Sequence, residues 1–221
     1  MRTKTRDIHK GGTCVIVGNG PSLRLEDLEK LAKKYVIFGS NQIFRLPFTP
    51  TYYCIIDEDM MNACLPLPNS FGPKKMFIRA EADVPHNHFI YPLVANGFSL
   101  DINNFVVMGG TVTYALFQLA FEMGFSRYLT IGLDHHYPNA GKLRPGSSFV
   151  AGEHDPDHFE CADGQPYFSS GKTFNAPEIE GTTRSYQIVK ELFDKSGREV
   201  INISRQTKLD VFPRDVMENW I

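Results

Sequence analysis

Thr13-Cys14-Val15-Ile16-Val17, followed at once by Gly18-Asn19-Gly20-Pro21-Ser22-Leu23, decides the fold. The first five residues are a short apolar run with β-branched members, bounded by Gly12 and Gly18, and read as a buried strand. Leu25, Leu28, Leu31 and Ala32 then fall on one helical face, with Glu and Lys elsewhere, which predicts a helix over about 25–34. The turn between strand and helix is the strongest chemical signal in the chain. Glycines let a backbone approach a phosphate closely, and a helix start offers free N–H groups and the positive end of a dipole. Gly18, Asn19, Gly20 and Pro21 are therefore candidates to hold a nucleotide phosphate, and Ser22 is placed to cap the helix or to donate to an oxygen. A tight turn without a ligand is the alternative.

Outward from that turn, strand and helix signals alternate. Residues 35–39, 52–56, 127–131 and 199–203 read as strands, with weaker strand signals at 75–79 and 88–91. Residues 111–123 are small or apolar all round and predict a buried helix that stops at Gly124; a second late helix is expected over about 178–195. This order predicts an α/β, Rossmann-like domain over residues 1–221, with a largely parallel sheet and helices on both faces. The stretch 135–175 breaks the rhythm. It is rich in Gly, Pro, Asp, His and Ser, and a segment of that length reads as a functional lid or a disordered loop.

Composition narrows the class. The chain has 221 residues, 42% hydrophobic and 22% charged, with 23 Lys plus Arg against 25 Asp plus Glu and a formal charge of −2. A balance so near neutral does not suggest a general nucleic-acid binder. Cys14, Cys54, Cys64 and Cys161 form no CxxC pair, and Cys14 and Cys54 sit in apolar runs as small core residues, so a reduced, cytoplasmic setting is expected. Residues 1–10 are polar and basic, unlike a secretory signal, and no apolar run is long enough to span a membrane. Homo-oligomerisation is left open.

Several polar residues fall at predicted strand ends, where open α/β sheets bind ligands. Asn41 and Gln42 follow the second strand, and their amides suit a base or ribose. Leu23 replaces the third glycine of a dinucleotide fingerprint, and Ser40-Asn41-Gln42 supplies no acidic ribose ligand, so an NAD site is not expected; no Walker lysine is present either. Asp57, in Asp57-Glu58-Asp59, is the candidate ligand for Mg²⁺ against a diphosphate, with a solvated turn as the alternative. Asp134-His135-His136-Tyr137 follows the 127–131 strand and offers acid–base or phosphate-contacting groups. His154 and His158 add to these from the lid, without the spacing of a zinc site. Lys172, Arg184 and Arg205 are candidates to neutralise phosphate.

Taken in order, 18–23, Asn41-Gln42, Gly109-Gly110-Thr111-Val112 and Gly132-Leu133-Asp134 resemble two related families. One is the MptE-like family, named for 6-hydroxymethylpterin diphosphokinase. The other is the small bacterial sialyltransferases that use CMP-sialic acid. The lid sequence Asp155-Pro156-Asp157-His158-Phe159 and the ending 208–214 resemble MptE-like members among polysaccharide-assembly proteins. The sialyltransferase likeness implies that Asn19 and Asn41 contact the CMP portion, and that Ser22, Gly110 and Thr111 lie near phosphate or sugar. It also implies that His136 stands where a tyrosine supports the leaving phosphate. The general-base histidine of that family falls where this chain has Glu178 or Glu180. Glu180 or a lid histidine, His154 or His158, is then the expected base, with His136 and Tyr137 steadying the phosphate.

The resemblance thus implies a glycosyltransferase of surface-glycan assembly that takes a nucleotide-activated, CMP-linked sugar donor and a glycan acceptor. The alternatives are a Mg²⁺-dependent diphosphokinase acting on 6-hydroxymethylpterin, and a non-catalytic nucleotide-binding module.

Overall fold

A computed structural model describes residues 5–79, 89–90, 93–94 and 97–221. In chain order the elements are β1 (Thr13–Val17), α1 (Leu25–Ala32), β2 (Val36–Ser40), β3 (Tyr52–Ile55), α2 (Glu58–Cys64), β4 (Lys75–Arg79), β5 (Phe89–Ile90), β6 (Leu93–Val94), β7 (Val106–Val107), α3 (Val112–Glu122), β8 (Arg127–Ile131), β9 (Ser148–Val150), β10 (Thr173–Asn175), α4 (Ile179–Lys195) and β11 (Glu199–Asn202). The expected 88–91 strand is met at Phe89–Ile90, while His88 and Tyr91 lie outside the described residues.

Among the described residues the main sheet has seven strands in the order β11-β8-β1-β2-β3-β4-β5, and each neighbouring pair is parallel. The expected α/β, Rossmann-like architecture is thus what the chain adopts. β1 is an interior strand because it is apolar on both faces. Cys14 and Ile16 enter one core with Tyr114, Phe117, Tyr186 and Phe193 of α3 and α4. Val15 and Val17 enter the other with Leu28 and Leu31 of α1 and Met60 and Met61 of α2. Alternate side chains of one strand therefore anchor helices on both faces, as period-2 geometry requires. α3 is buried nearly all round, which explains its largely apolar sequence, and Gly124 (φ 86°) ends it.

From β1 the chain lays strands outward to β5, and later returns to the opposite side with β8 and β11. The reversal lies between β1 and β8. Loops leaving neighbouring strands in opposite directions open a crevice at the carboxyl ends there.

The 135–175 segment is not a structureless loop. It holds a 3-10 turn at Ala140–Lys142 and the antiparallel β9–β10 hairpin, in which Phe149 faces Phe174. Between the hairpin strands, Phe159, Cys161 and Tyr167 are buried in the α1/α2-side core. Apolar burial anchors this inner stretch, while exposed residues run through 142–146, 152–154, 162–165 and 169–172. All four cysteines are buried and unpaired. No helix among the described residues is long and apolar enough to cross a membrane.

Candidate active-site cleft

A cleft of about 320 Å³ opens at the carboxyl ends of β1, β2, β3 and β8. Gly18, Asn19, Gly20, Asn41, Asp57, Gly110, Thr111, Asp134, His136, Tyr137 and His158 all line it. Pro21, Ser22, Gln42, His154 and Glu180 do not.

The 18–22 turn is held from within the protein. Gly18 N–H donates to the Ile131 carbonyl at 2.8 Å and Gly20 N–H to that of Gly132 at 2.9 Å. A Cβ on Gly18 would sit 2.3 Å from the Gly132 oxygen, and one on Gly20 would sit 2.7 Å from Cγ of Asp134. Both glycines are thus demanded by the loop after β8, quite apart from any ligand. Ser22 does not cap α1, whose N-cap is Arg24 without a side-chain bond. Instead its N–H donates to Asp134 at 2.7 Å, and its hydroxyl makes a short hydrogen bond to the other carboxylate oxygen. Burial pushes the Asp134 carboxyl above the ordinary range, against the pull of the Ser22 donors and His136.

The second glycine turn is built differently. Gly109 (φ 58°) and Gly110 (φ 74°) take left-handed backbone, and a Cβ on Gly109 would strike the Tyr114 ring at 2.3 Å. Thr111 caps α3 by accepting from Thr113 N–H at 3.3 Å. The N–H groups of Gly110 and Val112 have no partner among the described residues. α3 has no acidic residue in its first turn, whereas α1 has Glu26 and Asp27. The positive end of the α3 dipole therefore faces the cleft without a carboxylate of its own.

Between these turns stand two asparagines. Asn19 donates to Ser40 at 3.2 Å, and Asn41 sits at φ 49° with its carbonyl accepting from the Tyr53 hydroxyl at 2.6 Å. The side-chain oxygens of Asn19 and Asn41 are buried and lack a partner among the described residues. A buried acceptor left unmade costs about 1–3 kcal/mol, which a donor from a bound molecule would recover. Gln42 is spent inside the protein: its amide donates to the Tyr167 carbonyl at 2.6 Å and accepts from Arg45 at 3.2 Å. That role ties the inner lid stretch to the end of β2.

The strongest acid–base geometry comes from the lid. His158 Nδ1 lies 3.0 Å from both carboxylate oxygens of Asp155, and its ring stacks on Tyr167 at 4.2 Å and 6°. Its Nε2 has no partner among the described residues, and the ring lines the cleft. Burial pushes the Asp155 carboxyl up, but His158 and the N–H groups of Phe168 and Asp157 more than offset it and hold it below the usual range. Asp157, by contrast, is committed to the N–H groups of Asn139 and Ala140 at 2.9 and 2.7 Å. Tyr137 is half-buried, and its phenol is pushed up to about 12 by burial and by Asp157 and Asp134. His135 bonds to Thr183 at 2.7 Å, and burial lowers its pKa against the pull of Asp210.

Other expected residues stand apart. Glu180 is exposed in the first turn of α4, and His154 is exposed on the outer lid. Arg205 is clamped to buried Asp27 at 2.7 and 2.8 Å, and neither Lys172 nor Arg184 lines the cleft. Asp57 caps α2, accepting from Met60 N–H at 3.0 Å with one oxygen, and the residue lines the cleft. No group of three His, Cys, Asp or Glu gathers as a metal centre among the described residues. Sequence reasoning missed the aromatic wall of Phe149, Phe168 and Phe174, the Asp59–Asn175 pair at 3.1 Å, and the partnership of Asp155 with His158. The signals were present: Ser148-Phe149-Val150 and Thr173-Phe174-Asn175 alternate, and Asp155 precedes His158 by three residues.

A family model described as 6-hydroxymethylpterin diphosphokinase MptE-like matches residues 2–140. Among solved structures, the MAf glycosyltransferase from Magnetospirillum magneticum AMB-1 aligns with 98% of this chain at a TM-score of 0.58 and 15% identity, a likeness of fold. The chain spans 35% of that protein's length. No curated protein matches the sequence.

Proposed function

Because this chain belongs to the MptE-like family, we propose that its cleft serves a transferase, and specifically a glycosyltransferase of surface-glycan assembly working in the cytoplasm. The donor in this reading is a nucleotide-activated sugar, CMP-linked on the strength of the sialyltransferase likeness. The observation that carries it is the Asp155–His158 pair, which commits Nδ1 and leaves Nε2 at the cleft. A carboxylate that holds one ring nitrogen protonated makes the other an acceptor, the arrangement of a general base.

Asn19 and Asn41 would receive donors of the nucleoside, and the Gly110 and Val112 N–H groups at the start of α3 would hold the phosphate. His158 Nε2 takes the proton of an acceptor hydroxyl as that oxygen bonds to the anomeric carbon. The bond from that carbon to the phosphate oxygen breaks, and the nucleotide leaves with the electron pair. Charge develops on the phosphate, where α3, His136 and Tyr137 are placed to meet it. Glu180, outside the cleft lining, has no part in this scheme.

The test is thermal stabilisation by CMP, CDP, UDP, GDP and ATP. At a hundred times Kd a ligand stabilises by about 2.7 kcal/mol, a rise of roughly 5–10 °C for a chain this long. If no nucleotide raises Tm at millimolar concentration, the reading fails. Once an activity is in hand, His158→Gln is expected to lower kcat by about 10²–10⁴-fold, the range of a general base.

A second reading is favoured by the family's own description and by the spare oxygen of Asp57: diphosphate transfer from ATP to a hydroxymethylpterin. Mg²⁺ bound there would neutralise phosphate charge. It predicts Mg²⁺-dependent AMP release with the pterin. It ranks second because such transfer leans on clustered positive charge, and the described cleft lining contains no Lys or Arg.

A further inference from the structure

The hairpin end of the cleft is chemically unlike the α3 end. Phe149, Phe168 and Phe174 form one wall, with Phe168 stacked on Phe174 at 3.9 Å and 18°. Phe149 meets Phe168 at 61° and Phe174 at 44°, so it is stacked on neither ring. Asp57 and Asp59 line the same cleft, and Asn175, next to Phe174 on β10, donates to one oxygen of Asp59 at 3.1 Å. Each of these two carboxylates therefore keeps one oxygen without a partner among the described residues. His158 packs edge-on against Phe168 at 4.7 Å and 67°, so its ring borders the same wall.

We propose that this end is the acceptor subsite, and that it takes the uncharged, hydroxyl-rich ring of a sugar. The inference rests on the glycosyltransferase reading of the same cleft. A pyranose presents a face of polarised C–H groups, which suits the negative face of an aromatic ring. Its hydroxyls are donors, and single carboxylate oxygens are strong acceptors for them. A planar aminopyrimidine such as a pterin is held differently, by two parallel N–H groups on both oxygens of one carboxylate. In Asp57 and in Asp59 one of the two oxygens already accepts a bond, from Met60 N–H and from Asn175, which suits separate hydroxyls better than a paired N–H donor set. A carboxylated sugar would bring a third anion to an edge whose described lining has no Lys or Arg, and like charges in close contact repel. A ring resting on Phe149 and Phe168 presents a hydroxyl beside His158, where the proton is to be taken.

Saturation-transfer NMR on the full chain, with saturating CMP, tests this using three probes: methyl β-galactopyranoside, N-acetylneuraminic acid and 6-hydroxymethylpterin. The galactoside is expected to show transfer to its ring C–H protons. Phe149→Ala and Asp59→Asn, both at partly or fully exposed positions, are expected to weaken it about fivefold, while the CMP-induced rise in Tm stays unchanged. The acidic sugar should bind about tenfold more weakly than the galactoside. Binding of CMP without any galactoside signal overturns the subsite and leaves the glycosyltransferase reading standing. So does equal binding of the acidic sugar, or pterin binding that Phe149→Ala abolishes while the galactoside is unaffected. Absence of any nucleotide-dependent rise in Tm takes down both.

Discussion

The turns at 18–22 and 109–111 both carry the chain through glycines into a helix beside the cleft, α1 in one case and α3 in the other. Their sequences promise the same chemistry. In the first, the protein supplies its own acceptor: Asp134 takes both the N–H and the hydroxyl of Ser22. Its glycines are needed because the loop after β8 passes within contact distance. In the second, no carboxylate answers the helix start, and two N–H groups face the cleft unpaired among the described residues. A glycine turn before a helix is therefore an anion site only when nothing in its own chain already fills it.

The largest effect that would break this contrast is steric. Gly18→Ala places a methyl 2.3 Å from a backbone oxygen and is expected to cost about 3 kcal/mol or more, enough to lower the denaturation midpoint severely. Gly110→Ala, at φ 74° with Thr182 Oγ1 3.1 Å away, is expected to cost about 1–2 kcal/mol, since a left-handed backbone penalises any Cβ. Equal losses in urea titrations would show that the first turn is no more tightly enclosed than the second.

A smaller effect separates structure from binding. Ser22→Ala is expected to cost about 1–2 kcal/mol, leaving an oxygen of buried Asp134 without its donor, and to leave nucleotide affinity unchanged. Thr111→Ala should cost about 1 kcal/mol as a lost helix cap and also weaken nucleotide binding severalfold by calorimetry. If Ser22→Ala weakens the nucleotide more than Thr111→Ala does, the phosphate belongs at the first turn after all.

The smallest effect is in pH. The folded-state pKa of Asp134 is raised, chiefly by burial. A raised folded pKa means that the folded protein holds the proton longer, so stability from this group is full below the ordinary Asp value. It is lost as pH rises through the folded value. Asp134→Asn is expected to remove that loss, so the difference in stability between variant and parent should shift in the variant's favour as pH rises from about 4 towards neutrality. A difference that does not vary with pH would mean that the Ser22 donors fully offset the burial of the charge.

Much of the fold was legible in the residues. Val15, Ile16 and Val17 are apolar on consecutive positions because β1 is covered on both faces, and that run marks an interior strand of the sheet. The largely apolar α3 announced its burial in the same way. Strand-end residues such as Asn41, Asp57 and Asp134 could be placed at the cleft because parallel strands deliver their carboxyl ends to one edge. The commitments of each side chain were not legible. Gln42 and Asn41 are neighbours in sequence, yet a 3-10 turn sends the first to Tyr167 and leaves the second's oxygen unpaired. Nor could composition divide the 135–175 segment, because Phe159 and Tyr167 are held by apolar burial on distant α1 and α2, which local polarity does not reveal.

The sequence alone determined where strands and helices run, since periodicity is set by the faces each element must bury. It also brought a row of polar residues to one sheet edge. Only the tertiary structure decided which of those groups are already satisfied. Ser22 and Asp134 are separated by 112 residues yet satisfy each other's hydrogen bonds, while the start of α3 and the Nε2 of His158 have no partner among the described residues. The physical reason is that hydrogen bonding is settled by contact in space: a donor is free only if folding brings it no acceptor, and that cannot be read from neighbours along the chain.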